Sequence, residues 1–378
     1  MSCAFDTVDH DILLERLSKT HGIEGNVLKW IQSYLSDRTQ SVVVNGIKSA
    51  MEGVSRGVPQ GSVLGPILFL LYTTEIEQII HSFGLLSHTY ADDTQTYFHC
   101  LPRDVSVLTP RMLACIDAIE QWLSSNRLKM NDEKTEFIWF ASWYHMKNIP
   151  QVPLRVGLSS ITPSTSVRDL GVRLDNTLNL HEHVSYMEQS CFFQLRQLKQ
   201  IKRLLSAANI KALLHAFVTS RLDYCNSLLA GQPAGLLDRL QSIQNAAAHV
   251  YAGISSRSHV TSILRDDLHW LRVPQRISYK LCLIVYRSLH GTAPSYLSEH
   301  CVRLVDCDAW SSRNRAALHG NIVVPRTRTA TYGSRSFRVS GPTCWNSLPV
   351  SLKLESSFSN FKCNLKTHLF RQSYGQTV

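Results

Sequence analysis

At 378 residues, with 44% apolar and 18% charged side chains, the chain is long enough for two or three domains with real cores and too apolar for a disordered one. Its most apolar run, Val63 to Tyr72, is broken by Gly65 and Pro66 and falls well short of the about 20 apolar residues a membrane-spanning helix needs. The formal charge of +10 is unevenly spread, with a net of −6 over residues 1–140 and +16 over residues 141–378. An acidic front and a basic back suggest a metal-binding half joined to a polyanion-binding half; a basic surface kept for solubility is the plain alternative. The ten cysteines show no paired CxxC spacing and the start, MSCAFDTVDHD, lacks the apolar core of a secretion signal. Reduced, mostly buried thiols are therefore expected, in an intracellular protein of the nucleus or cytoplasm. Cys301, Cys307, His300 and His319 fit no zinc spacing.

In chain order, a strand end runs into a helix capped by Thr7 or Asp9, with Ile12, Leu13, Leu14 and Leu17 as its buried stripe up to Gly22. A second helix is predicted over about Asn26–Ser36, burying Val27, Leu28, Ile31, Tyr34 and Leu35. QSVVVNGIKSAMEG reads as a hairpin whose Asn45-Gly46 pair suits a type I′ turn. In SRGVPQGSVLGPILFLLYTTEIEQII, Gly57, Pro59, Gly61 and Gly65 make a loop whose backbone can approach another molecule closely. Pro66 starts a helix with Ile67, Leu68, Leu71 and Ile76 on its apolar face. An ordinary glycine turn before a core helix is the plain alternative.

LLSHTYADDTQTYF then reads as two short strands meeting at an acidic turn. Such a turn aims Asp92 and Asp93 at one spot, where carboxylate oxygens suit hard Mg²⁺; two such ions can clamp the oxygens of a phosphoryl transfer. The plain alternative is an Asp-Asp cap on a solvated hairpin. Further on, an amphipathic helix is predicted over about Thr109–Ser125, with Met112, Ile116, Ile119 and Leu123 inward. Helices are also predicted over about His183–Leu205 (Phe192, Leu195, Leu198, Ile201 and Leu205 inward), Ala208–Leu229, Gly235–Val250 and Pro274–His290. In the last third, Arg326, Arg328, Arg335 and Arg338 alternate with Tyr332 and Phe337, a combination suited to phosphate contacts and base stacking on RNA.

GVPQGSVLGPILF followed by YADDTQTYF resembles the middle of a reverse transcriptase of the non-LTR (LINE-type, jockey-like) retrotransposons. The resemblance implies an α+β fold: a partial polymerase palm (an antiparallel sheet with helices), then a helical thumb and a basic mixed C-terminal region. The corresponding expected domains are 1–175, 176–255 and 256–378. Implied partners are an RNA template, a DNA primer or duplex and deoxynucleoside triphosphates, with no membrane. The implied cofactor is Mg²⁺, or Mn²⁺ in its place. By position, Asp92 and Asp93 would hold the catalytic metals, with Tyr90 beside them, and Pro59, Gln60 and Gly61 would lie against template and incoming nucleotide. In LKMNDEKTEFIWF, Lys134 takes the place of a lysine that assists the pyrophosphate leaving group; an ordinary loop lysine paired with Glu133 or Glu136 is the alternative. SVRDLGVRLDNTL resembles the primer-grip hairpin, around Leu170 and Gly171.

Phe5 takes the place of the aromatic that screens the nucleotide sugar. The family's first catalytic Asp precedes that aromatic, and in this register it falls just before Met1, with Asp6 as a possible substitute on the wrong side of the gate. A C-terminal fragment with little activity of its own is thus the expectation. A non-catalytic nucleic-acid-binding protein and a decayed transposon copy stay open beside it.

Overall fold

A computed structural model describes residues 4–307, 319–329 and 332–375. The chain divides into two compact units, Met1–Val167 and Arg168–Val378. Helices dominate, and among the described residues every β-ladder is a two-stranded one. The strands are short and pair two by two, alongside the helices.

In the first unit, helix α1 (His10–Lys19) starts where the Asp9 side chain accepts from the amides of Asp11 and Ile12. This is N-capping by a short acidic residue, and Asp9 rather than Thr7 does it. Leu13 and Leu17 are fully buried, one turn apart. Helix α2 (Gly25–Leu35) buries Ile31 and Leu35 and packs Leu28 against the core, but Val27 stays 57% exposed. Four short strands follow: β1 (Thr39–Gln40), β2 (Val43–Val44), β3 (Ile47–Lys48) and β4 (Glu52–Gly53). They form two nested antiparallel pairs, β2 with β3 inside β1 with β4. Asn45 and Gly46 turn the inner pair at φ 50° and 82°, as a type I′ turn requires.

The long apolar run becomes two helices, α3 (Leu64–Thr73) and α4 (Glu75–Ser82). Leu68, Phe69, Tyr72 and Ile76 are buried, whereas Ile67, expected inward, is half exposed on the opposite side of α3. After the hairpin β5 (Leu86–Tyr90) and β6 (Asp93–Tyr97), helix α5 (Val105–Ser125) begins a turn earlier than predicted and carries Pro110 inside it. Met112, Cys115, Ile119 and Leu123 complete the core of this unit. A short helix α6 (Trp143–Met146) and the hairpin β7 (Leu154–Val156) with β8 (Ser159–Ile161) close it.

Among the described residues, Arg16 is the one charged side chain buried with this core, at 9% exposure. It donates to the carbonyl of Tyr72, to Glu75 Oε2 (3.1 Å) and to Asn126 Oδ1 (2.8 Å), and lies between the Tyr72 and Trp122 rings, 5.2 Å from each. One guanidinium therefore ties α1 to α3, α4 and the end of α5. A buried cation is tolerable only when its donors are spent in this way.

Strand β9 (Ser166–Asp169), in which the first unit gives way to the second, pairs with β10 (Val172–Asp175). The second unit is otherwise helical. Helix α7 (His181–Ile201) packs with α10 (Ala234–Ala252), and Arg239 of α10 reaches Glu188 and Ser185 of α7. The continuous helix predicted over Ala208–Leu229 is instead α8 (Ala207–Leu214), a π turn (His215–Thr219) and α9 (Ser220–Asp223). Its extra residue shifts the inward face, so that Leu214, Val218 and Leu222 all stay buried. Ile201, expected inward, ends α7 and is exposed.

Helix α11 (Val273–Leu289) has two working faces. Ile277 and Leu281 join the core built on α7, α8 and α10. Cys282, Val285 and Tyr286 join a second core with Trp345, Phe361 and Leu365 from the helices Phe337–Asn346 and Phe358–Tyr374. No described helix is long and apolar enough to cross a membrane.

Candidate nucleotidyl-transfer site

The acidic turn has the geometry its residues call for. Strands β5 and β6 pair from Leu86 with Tyr97 through to Tyr90 with Asp93, leaving Ala91 and Asp92 as a two-residue turn. Ala91 sits at φ 53°, the left-handed angle such turns require at their first position. Asp93 is exposed and Asp92 half-buried, while Tyr90 is 67% exposed. Most of β5 is open to solvent, and β6 alternates exposed with half-buried side chains, so neither strand has a buried apolar face. Tyr97 and His88 form a stacked pair on this hairpin, their Oη and Nε2 atoms 2.9 Å apart.

The Pro59-Gln60-Gly61 loop is held by the segment before α1. Gly57 N–H donates to the Val8 carbonyl (2.7 Å) and Val58 N–H to the Phe5 carbonyl (2.8 Å). At Gly57, with φ +83°, a Cβ would lie 2.8 Å from the Asp6 carbonyl oxygen, so only glycine allows this close approach. His10 Nε2 and Arg38 Nη1 both reach the Gly57 carbonyl. Ser62 closes the loop, its hydroxyl donating to the Pro59 carbonyl (2.7 Å) and accepting from Gly65 N–H (3.0 Å). The loop tip itself, Gln60 and Gly61, stays exposed.

Of the residues singled out from sequence, the structure brings Phe5, Asp6, Pro59, Gln60 and Gly61 to one place. The Gln60 amide donates to both carboxylate oxygens of Asp6 (2.9 and 3.0 Å), a link no sequence spacing announced. Phe5 is half-buried, its ring 4.8 Å from that of Phe69. Lys134 ends a short 3-10 turn (Asp132–Lys134) capped by Asn131, and is exposed.

Asp92 and Asp93 offer the hard oxygen ligands that Mg²⁺ and Mn²⁺ prefer. Among the described residues, however, no three His, Cys, Asp or Glu side chains converge to hold a metal ion. The acidic turn suits a divalent cation in kind and falls short of a full site in number.

In the second unit, Leu170 and Gly171 make the turn after β9, at φ 43° and 87°. Tyr224 clamps that turn, its hydroxyl donating to the Leu170 carbonyl (2.5 Å). In the arginine-aromatic stretch, Arg335 donates to the Leu178 carbonyl (2.9 Å) and lies 5.5 Å from the Tyr332 ring. Phe337 packs on both cores of this unit, so it is spent on folding rather than presented for stacking.

Comparison with known proteins bears on the first half of the chain. The reverse transcriptase (RNA-dependent DNA polymerase) family model matches residues 1–174. Residues 1–174 thus resemble a reverse transcriptase domain. The chain is similar to the RNA-directed DNA polymerase from mobile element jockey of Drosophila melanogaster, 30% identical over 194 residues. That match covers 50% of this chain and 20% of the relative. The jockey polymerase of Drosophila funebris is 29% identical over 213 residues, covering 54% of this chain and 22% of the relative. The probable RNA-directed DNA polymerase from transposon BS of Drosophila melanogaster is 26% identical over 226 residues, covering 56% and 23%. The chain thus spans about a fifth of the length of these curated relatives. The matched domain takes in the acidic hairpin, the Pro-Gln-Gly loop, Lys134 and most of the β9–β10 hairpin.

Proposed function

We propose that this chain is part of an RNA-directed DNA polymerase of a jockey-like, non-LTR element, acting in nucleotidyl transfer to a primer 3′ hydroxyl on an RNA template. In this reading residues 1–175 are palm, 176–255 a helical thumb and 256–378 a basic nucleic-acid-binding region. Asp92 and Asp93 are the metal-binding carboxylates, and divalent metal supplies charge neutralisation at the transferred phosphate. Gln60 and Gly61 border the nascent base pair, Pro59 shapes the loop, Tyr90 flanks the carboxylates, Phe5 screens the sugar and Lys134 neutralises the leaving pyrophosphate.

The observation that carries this reading is the acidic turn: adjacent carboxylates on a two-residue hairpin turn, inside a domain matched by the reverse transcriptase family. The test is primer extension on an RNA template by a jockey polymerase in which residues 1–174 of this chain replace the matching stretch. Extension is expected, with Asp92→Asn or Asp93→Asn lowering its rate by about a hundredfold or more. A chimera whose extension ignores both substitutions overturns the reading.

A second reading is a non-catalytic nucleic-acid-binding protein. The net charge of +14 on residues 168–378 and the missing third metal ligand among the described residues favour it. It requires binding with a steep salt dependence that persists in the Asp92→Asn, Asp93→Asn double variant, together with a chimera that does not extend primers.

A further inference from the structure

The second core of the C-terminal unit contains a column of aromatic rings that runs from buried to exposed. Trp345 and Phe361 lie 5.6 Å apart, and Phe361 stacks on Tyr286 at 4.4 Å. Tyr286 in turn stacks on His290 at 3.9 Å and 14°, close to parallel. The inner three are buried and His290 is exposed, so the column ends in solvent on an imidazole face. Nothing about that end is loose. Tyr286 donates its hydroxyl to the Ser356 carbonyl (2.6 Å). His290 Nδ1 meets the Tyr286 carbonyl at 2.8 Å; a carbonyl only accepts, so Nδ1 donates there and fixes the ring.

This end opens on a cleft of about 570 Å³ lined by Tyr286, Arg287, His290, Thr292, Ser356 and Phe358, within the size range of small-molecule sites. Two cations flank it. Arg287 lies over the Phe358 ring at 5.0 Å, and Lys362, one helical turn on, is 5.4 Å from the same ring. Both are exposed, and neither is in an ion pair among the described residues. A flat ring face set beside two cations matches a base joined to its phosphate.

We propose that this cleft binds one unpaired nucleotide of a single-stranded nucleic acid, its base stacked on His290 and its phosphate on Arg287 and Lys362. Such a site would anchor a strand, and it does not depend on the carboxylates of residues 1–174. Stacking on a pre-fixed ring is sequence-tolerant, because every base has a π-face. Ring stacking and a phosphate contact do not read a 2′-hydroxyl, so RNA and DNA strands are both admitted.

The test uses the full chain and short fluorescent uridine and thymidine oligomers, with anisotropy as the readout. His290→Ala and the double variant Arg287→Gln, Lys362→Gln are surface changes whose folding is checked by circular dichroism. His290→Ala is expected to weaken single-strand binding about tenfold without changing its salt slope. The double variant is expected to lower the salt slope by one to two. An oligomer carrying 5-iodouridine should photocrosslink to the peptide containing His290. Equal loss on both oligomers supports the shared-strand site, and loss on uridine alone overturns the claim that DNA is admitted. A double variant that weakens binding while His290→Ala does not overturns base stacking and leaves a phosphate contact only. Crosslinks that map elsewhere, with both variants binding like the parent, overturn the site whatever becomes of the polymerase reading.

Discussion

At the scale of single residues, Asp175 shows how a polar side chain organises a loop from inside. It is 5% exposed and accepts from Thr177 N–H (3.2 Å), Thr177 Oγ1 (2.9 Å), Asn179 N–H (2.9 Å) and Leu180 N–H (2.6 Å). These bonds hold Leu178 and Leu180 at positive φ and start α7. Asp175→Ala leaves three backbone donors without their acceptor and is expected to cost about 3 kcal/mol in urea denaturation. A loss below about 0.5 kcal/mol would show that water replaces the carboxylate freely. His183, one turn into α7, is buried with Nδ1 facing the Arg173 amide (3.4 Å). Burial, and then the charge of Arg173, push its pKa below the usual 6.5. The unfolded chain therefore binds a proton near pH 6.5 that the folded chain refuses, so stability falls as pH drops from about 7 towards 5.5. His215 and His368 are shifted the same way by burial. His183→Asn is expected to shallow that slope in thermal melts taken across the window without abolishing it; an unchanged slope would contradict this account.

At the scale of elements, the entry to α3 is where loop and helix constrain each other. A Cβ on Gly65 would lie 2.8 Å from the Pro59 carbonyl oxygen and 2.9 Å from Ser62 Oγ. Gly65→Ala is expected to lower stability by about 2 kcal/mol through overpacking, read from the denaturation midpoint. In the chimeric polymerase it should also reduce primer extension more than stability alone predicts, because the displaced atoms belong to the Pro59–Gly61 loop. The hairpin elements were legible because their causes are local. Asn45-Gly46 and the Ala91-Asp92 turn act through their own backbone, and the Asp9 carboxylate reaches amides two and three residues on. The π turn at His215–Thr219 was not legible. Nothing in that stretch departs from a helical pattern, and the extra residue is accommodated only by packing against α7 and α10.

At the scale of the whole molecule, each compact unit carries its own buried clusters. The core of the first unit draws on residues from Ala4 to Leu154, and the two cores of the second draw on residues from Leu180 to Leu369. Residues 168–378 expressed alone are therefore expected to fold, with helical circular dichroism and a cooperative melt. They should also retain the salt-dependent nucleic-acid binding assigned to the basic half. A fragment that is molten by near-ultraviolet dichroism would mean that the cores are not self-sufficient.

By itself the sequence determined the helix periodicities, the turn residues, the charge asymmetry and the motifs that resemble a reverse transcriptase's, all of which act over a few neighbouring positions. It also held a usable hint at Arg16, which interrupts the stripe of Leu13 and Leu17 at helical spacing, and at Tyr286 and His290, one turn apart. Their roles come from partners far along the chain: Tyr72, Glu75 and Asn126 for Arg16, and Phe358 and Phe361 for the aromatic column. Tertiary structure alone decided that Gln60 engages Asp6, that Phe337 is committed to a core and that the strands stay as separate hairpins. Local rules fix which way a side chain can point, whereas what it meets depends on long-range packing that no window of sequence contains.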